Sequence, residues 1–191
     1  MAWNIFKQEI MAKNIGKIFE HDFSRCVPDY VAVLRIPDSA QSFNRTALRF
    51  SIRNPFDYLM WNSKTSTLYA LELKTVKGKS ISFERSKEDN GEIHLHQIQG
   101  LEKLDKFSGI VAGFIIEFRE VPLTIFLPIS EFIRLQNETS KKSFNIKDLS
   151  DNHIDYSTIP QTLIKTHYRY DVETFLKNTA LHSCDGGSYE I

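Results

Sequence analysis

The order of apolar patterns along this chain predicts an α/β fold in which a mixed central sheet is flanked by helices. Apolar residues recur at helical spacing in two separate stretches, Ala12 to Cys26 and Ile93 to Phe107. Short β-branched and apolar runs, typical of strands, lie between these stretches and again after the second one. Helix, strands, helix and strands in this order fit one mixed sheet with helices packed against it.

The first third of the chain contains one predicted helix and one predicted strand. The apolar side of the helix consists of Ile15, Ile18, Phe19 and Phe23, which places Glu20 on its flank. Tyr30 to Ile36 is β-branched and apolar and is predicted to be a strand that ends at Pro37. From Asp38 to Arg53 the chain turns polar and carries three evenly spaced arginines, Arg45, Arg49 and Arg53.

The middle of the chain supplies most of the predicted sheet. Phe56 to Asn62 and Thr67 to Lys74 are predicted to form an antiparallel pair around a polar turn. A basic turn with Lys77 and Lys79 follows. The second helix is predicted at Ile93 to Phe107. Two further strands are predicted at Gly109 to Phe118 and Leu123 to Phe126, and Pro128 opens a third helix that continues to Gln136.

Length and composition indicate one domain, which we expect over residues 1–177, followed by a flexible tail over residues 178–191. The formal net charge is zero at pH 7, so the field of the whole molecule does not favour nucleic acid and any anionic partner must be bound by local patches.

No apolar stretch approaches the ~20 residues of a membrane helix, and no signal-peptide pattern is present. Cys26 and Cys184 lack metal-ligand spacing, and we expect reduced thiols in a cytoplasmic protein.

The most informative group consists of Asp57, Glu72 and Lys74. Because residues two apart on a strand point to the same face, Glu72 and Lys74 share one side while Leu71 and Leu73 point to the other. A charged pair on an apolar strand is costly unless something pairs with it. A divalent metal held by Asp57 and Glu72 is one such partner, and Glu20 offers a third carboxylate. The alternative interpretation is an exposed salt bridge between Glu72 and Lys74.

Six further segments form an ordered set along the chain: residues 14–20, 54–58, 70–75, 82–83, 96–97 and 109–119. Taken in this order, they resemble the RecU-type Holliday junction resolvases of the PD-(D/E)XK nuclease superfamily. The resemblance covers roughly residues 11–135, and residues 168–172 resemble the family's C-terminal strand. It implies a restriction-endonuclease-like fold.

The resemblance also implies a homodimeric endonuclease that uses Mg²⁺, with Mn²⁺ as a substitute, to cut branched DNA. It assigns Asp57 and Glu72 as metal ligands, Lys74 as the catalytic lysine, and Glu20 and Gln97 as further catalytic residues. Gln97 has the alternative interpretation of a helix-surface amide, and we interpret His94 and His96 as structural or solvated histidines. The expected DNA-binding residues are Arg45, Arg49, Arg53, Thr75, Lys77 and Lys79.

The chain departs from the family in one segment. RecU-type resolvases carry a protruding stalk before the catalytic acid, and the matching stretch here, Pro37 to Arg53, is short. Cleavage chemistry is therefore better supported than a preference for junctions. Two alternatives remain: a nuclease of the same fold that acts on another DNA structure or sequence, and a non-catalytic nucleic-acid-binding protein that retains the fold.

Overall fold

The computed structural model describes residues 15–37 and 54–182. Its helices are α1 (residues 15–24), α2 (Leu95–Asp105), α3 (Ile129–Glu138), α4 (Ile146–Asp151) and α5 (Val172–His182). Its strands are β1 (Val31–Arg35), β2 (Tyr58–Asn62), β3 (Thr67–Val76), β4 (Ser80–Ser82), β5 (Ile110–Phe118), β6 (Leu123–Pro128), β7 (Ser143–Asn145), β8 (Ser157–Ile159), β9 (Gln161–Ile164) and β10 (His167–Tyr170).

A six-stranded mixed sheet in the order β1-β2-β3-β5-β6-β8 organises this part of the molecule. β3 pairs with β5 in parallel, whereas the β1–β2, β2–β3, β5–β6 and β6–β8 pairs are antiparallel. The prediction of a mixed central sheet flanked by helices is confirmed. Two small sheets, β4 with β7 and β9 with β10, were not predicted from the sequence.

Both faces of the sheet are covered, which explains why β3 and β5 are apolar almost throughout. One face packs against α2 and α3, with Ile98, Leu101 and Phe132 in its core. The other packs against α1 and α5, with Phe19 and Phe175 in its core. We call these the α2 face and the α1 face. A polar side chain in the middle of β3 is therefore buried whichever way it points.

The C-terminal part differs from expectation at one boundary. Residue 177, where the domain was expected to end, lies inside α5, which continues to His182. Thr179 is buried, and its Oγ1 lies 3.1 Å from the hydroxyl of Tyr69 on β3. The helix is thus anchored to the sheet beyond residue 177. Residues 183–191 lie outside the described residues.

Within the described ranges, no helix is long and apolar enough to cross a membrane. Cys26 is a free thiol whose Sγ accepts a hydrogen bond of 3.4 Å from the backbone N–H of Tyr170. Cys184 lies outside the described residues.

Candidate active site

Strand β3 places Glu72 and Lys74 on the α2 face, between the core positions Ala70 and Val76. Leu71 and Leu73 point to the α1 face, as the alternation predicted. Glu72 is only 3% exposed. Its Oε1 lies 3.0 Å from Nζ of Lys74. The two residues therefore lie at ion-pair distance, but Glu72 is buried and Lys74 half-buried, so the pair is not on an exposed surface.

Asp57 immediately precedes β2 and is fixed against β3 and β1 by three hydrogen bonds. Its Oδ2 accepts from the backbone N–H of Leu73 at 2.9 Å. Its own N–H donates to the carbonyl of Leu71 at 3.1 Å, and its carbonyl accepts from Ile36 N–H at 2.8 Å. The carboxylate of Asp57 is thus held beside the strand that carries Glu72.

Helix α2 contributes Gln97 to the same group. The side chain of Gln97 is buried, and its Nε2 donates to Oε1 of Glu72. Helix α2 can approach this closely because residue 100 is glycine: a Cβ there would lie 2.2 Å from Cβ of Pro55. Pro55 is two residues before Asp57, so the same contact packs α2 against the segment that carries the aspartate.

The second oxygen of Glu72 has no such partner. Oε2 is buried, and with Asp57 and Glu72 both ionised no described residue donates a hydrogen bond to it; a protonated Glu72 hydrogen-bonds to Asp57, which adds to its raised pKa. A buried carboxylate oxygen without a protein partner is rare, and a bound ion is one way in which such an atom is satisfied. The donor set around it, two carboxylates with a lysine beside them, is chemically suited to a hard divalent cation such as Mg²⁺.

Electrostatics agree with this interpretation. Burial raises the pKa of Asp57 from 3.8 to about 6, although the hydrogen bond from Leu73 opposes the shift. Burial also raises the pKa of Glu72 from 4.5 to about 8; Lys74 opposes this shift, and the neighbouring Asp57 adds to it. A buried carboxylate beside a half-buried one resists ionisation in the absence of a cation, and a bound cation would reverse that preference.

Glu20 lies near this group, but its carboxylate is ion-paired with Arg35. Its Oε2 accepts from Nε and Nη2 of Arg35 at 2.9 and 2.7 Å. Its charge contributes to the raised pKa of Asp57, so the two carboxylates are within electrostatic reach. In residues 15–37 and 54–182, however, no three His, Cys, Asp or Glu side chains are grouped as a metal site. In this arrangement Glu20 does not complete a three-acid cluster.

The residues expected to bind DNA fall into three groups. Thr75 points to the α1 face, where its Oγ1 donates to Oε2 of the buried Glu117 at 2.7 Å. Lys77 and Lys79 lie just beyond the end of β3, and Nζ of the exposed Lys79 lies 3.4 Å from Oε1 of Glu120. The remaining three, Arg45, Arg49 and Arg53, lie outside the described residues.

The sequence alone did not identify Glu84 as part of the site's surroundings. Its Oε2 accepts from the backbone N–H of Leu95 at 2.8 Å, and its Oε1 lies 2.8 Å from Nδ1 of His94. The rings of His94 and His96 stack, with centroids 5.5 Å apart. Glu84 and His94 are ten residues apart in an irregular segment, so no helix or strand spacing could have paired them.

The chain is similar in sequence to a prophage protein and weakly similar in structure to an archaeal resolvase. No protein-family model matches the chain. The SPbeta prophage-derived uncharacterized protein YotM of Bacillus subtilis strain 168 is 28% identical over 151 residues, which are 78% of this chain and 72% of that protein. Among solved structures, Hjc, a Holliday junction resolvase of the archaeal hyperthermophile Archaeoglobus fulgidus, gives a TM-score of 0.40 and 15% identity over 62% of this chain and 78% of that chain.

Proposed function

We propose that this chain is a metal-dependent endonuclease that hydrolyses phosphodiester bonds in DNA at Asp57, Glu72 and Lys74. The observation that supports this most strongly is the unpartnered, buried Oε2 of Glu72. In the ionised form of Glu72, leaving a carboxylate oxygen in that state costs about 1–3 kcal/mol or more, and the raised pKa shows that the metal-free carboxyl holds a proton instead. A cation between Glu72 and Asp57 would remove that cost.

The residues present fit Mg²⁺, with Mn²⁺ as a substitute. Asp57 and Glu72 would hold the ion, because both supply the carboxylate oxygens that hard cations prefer. When bound, such an ion polarises the phosphate and lowers the pKa of an attacking water. Gln97 donates to the other oxygen of Glu72 and so keeps that carboxylate in place.

Lys74 supplies the positive charge of the site. Its side chain is 16% exposed, and its Nζ lies 3.0 Å from Oε1 of Glu72. From this position the ammonium would neutralise charge that develops on the phosphate, or orient the attacking water. Because the lysine is fixed by its ion pair before substrate arrives, little reorganisation is needed during the reaction.

For the DNA itself, Lys77 and Lys79 provide phosphate contacts just beyond β3. The more specific proposal is that the substrate is a four-way DNA junction. A cytoplasmic homodimer would resolve it in recombination or repair, with its two sites cutting two strands symmetrically. It rests on the resemblance of the sequence segments to RecU-type resolvases. A PD-(D/E)XK enzyme of this kind has the restriction-endonuclease-like arrangement, a mixed sheet flanked by helices, that the chain folds into.

Cleavage of labelled DNA tests both levels of the proposal. A synthetic four-way junction, a flap and a linear duplex of matched sequence are incubated with Mg²⁺ or with EDTA. Paired symmetric nicks on the junction alone, abolished by EDTA, support the resolvase. Cutting of duplex or flap supports a nuclease with another substrate.

The same assay would also reveal a protein without nuclease activity. If the folded protein binds Mn²⁺ but cuts no DNA, the nuclease proposal is wrong. If it binds DNA under those conditions, it is a non-catalytic binding protein. The Glu72→Gln variant serves as the control for contamination. If a contaminating nuclease cut the DNA, the preparation of this variant would cut it as fast as the wild-type preparation.

A further inference from the structure

Gln97 makes two hydrogen bonds that together fix the orientation of its amide. Its Oε1 accepts from the backbone N–H of His94 at 3.0 Å. The amide oxygen is therefore occupied, and the NH₂ group must face Glu72, where Nε2 donates to Oε1. Gln97 thus acts as a donor to Glu72 and does not offer its oxygen to a metal.

The orientation of Gln97 depends on where α2 begins. Its first turn is fixed by Glu84, whose carboxylate accepts from Leu95 N–H at 2.8 Å and lies 2.8 Å from Nδ1 of His94. Unpaired N–H groups at a helix start need acceptors, and Glu84 supplies one from outside the helix. The side chain of Glu84 is 13% exposed, so it is held in a defined position.

The segment that carries Glu84 is itself closely packed. Glu84 N–H donates to the carbonyl of Ile93 at 2.9 Å, and Ile93 N–H donates to the carbonyl of Ser82 at 2.9 Å. A Cβ on Gly91 would lie 2.6 Å from the backbone carbon of Phe83, so the two arms of this loop are in direct contact. Glu84 is therefore a rigid support for the start of α2.

We infer that Glu84 is a positioning residue of the metal site, acting on Glu72 through His94 and Gln97. The inference rests on the proposed function, because it assigns the unpartnered Oε2 of Glu72 to a divalent cation. Glu84 fixes the N-terminal turn of α2, that turn fixes the amide of Gln97, and the amide holds Oε1 of Glu72. The carboxylate is thereby oriented with Oε2 available to Mg²⁺ or Mn²⁺, a role typical of residues that orient metal ligands.

Metal affinity without DNA is the appropriate measurement. Mn²⁺ binding is followed by calorimetry, and free Mn²⁺ by electron paramagnetic resonance, for the wild type and for Gln97→Leu, Glu84→Ala and the double variant. Gln97→Leu removes the donor to Glu72 and the acceptor of His94 N–H at nearly constant volume, and it should weaken Mn²⁺ binding roughly 10- to 100-fold. Glu84→Ala should weaken it as well, and the double variant should bind no more weakly than Gln97→Leu alone.

That last comparison separates positioning from a general effect on folding. If Glu84 acts through Gln97, its removal costs nothing further once Gln97 is gone; if it acts independently, the two losses multiply. Asp89→Ala is the matched control, because Asp89 accepts from the N–H groups of Arg85 and Ser86 in the same segment and pairs with Lys142, which lies outside α2. It should change stability while leaving Mn²⁺ affinity as in the wild type.

The outcomes distinguish this inference from the proposed function. If the wild type binds no Mn²⁺ at a site that Glu72→Gln removes, the metal site itself is refuted. If the wild type binds Mn²⁺ there but Gln97→Leu or Glu84→Ala binds it equally tightly, or if the losses multiply, the inference alone is overturned. Should Glu84→Ala fail to fold, as circular dichroism in EDTA would show, Glu84→Gln is measured instead: it keeps an acceptor for Leu95 N–H and should bind Mn²⁺ as tightly as the wild type, and weaker binding by this variant would overturn the inference.

Discussion

Replacing Glu72 by glutamine should stabilise the metal-free protein at alkaline pH. The pKa of Glu72 is about 8 in the folded protein and 4.5 for an ordinary glutamate. Between these values the folded state holds a proton that the unfolded state has lost, so stability falls as pH rises from about 4.5 to about 8. One such proton changes the free energy of unfolding by at most ~1.4 kcal/mol per pH unit.

The magnitude follows from that slope. In EDTA, the wild type should lose roughly 2–4 kcal/mol between about pH 5 and about pH 8, somewhat below the single-proton limit because the difference in bound protons is less than one at both ends of this range. Asp57, whose pKa is about 6, adds to the loss in the lower part of this range. Glu72→Gln carries no ionisable group at this position, so its unfolding free energy should depend less on pH and exceed that of the wild type at about pH 8.

Urea unfolding at several pH values, with EDTA and then with Mg²⁺, measures this directly. Mg²⁺ should stabilise the wild type, by about 2.7 kcal/mol at one hundred times the dissociation constant, and should leave Glu72→Gln unchanged. Glu117→Gln is the matched control: both oxygens of this buried carboxylate accept hydrogen bonds, from Thr75 and Tyr170. It should retain the Mg²⁺ effect. A wild type whose stability is independent of pH in this range, or a Glu72→Gln variant that Mg²⁺ still stabilises, would refute the reasoning.

Three further substitutions test other parts of the structure. Asp57→Asn removes a proposed metal ligand without added bulk, so it should abolish Mg²⁺-dependent cleavage while gel-shift affinity for DNA stays near the wild type; near-normal cleavage would exclude Asp57 as a ligand. Gly100→Ala should cost about 1–3 kcal/mol in urea unfolding, because the new Cβ would meet Pro55, instead of giving the ~1 kcal/mol gain usual in a helix; a gain would mean that α2 can move away freely. Tyr170→Phe leaves Oε1 of Glu117 without the hydroxyl that donates at 2.8 Å and should cost about 1–3 kcal/mol, and an unchanged unfolding midpoint would contradict the importance of that contact.

The part of the site that lies on β3 could be predicted from the sequence because it depends on short-range periodicity. Alternation alone placed Glu72 and Lys74 on one face. The predicted antiparallel pair is present, and its observed register sets Tyr58 opposite Leu71, which brings Asp57 beside the strand. Such contacts follow from strand geometry and a single turn. Their burial was harder to foresee, because it depends on α2 packing over the face.

The contacts that the sequence did not reveal join segments with no fixed spacing. Tyr170 reaches Glu117 from 53 residues away, and Glu84 reaches His94 across an irregular loop. The pairing of Glu20 with Arg35 spans 15 residues and depends on how α1 packs beside β1. The strands β4 and β7 have three residues each, too few for a period-two pattern to be distinguished from a loop.

Anomalous diffraction from crystals soaked in Mn²⁺ would locate the proposed metal directly. A peak is expected within coordination distance, about 2.0–2.4 Å, of Oε2 of Glu72 and of a carboxylate oxygen of Asp57, with Gln97 still donating to Oε1 of Glu72. Mn²⁺ bound elsewhere, with Oε2 of Glu72 instead hydrogen-bonded to a protein group, would contradict the assignment of this site as a divalent-cation nuclease centre.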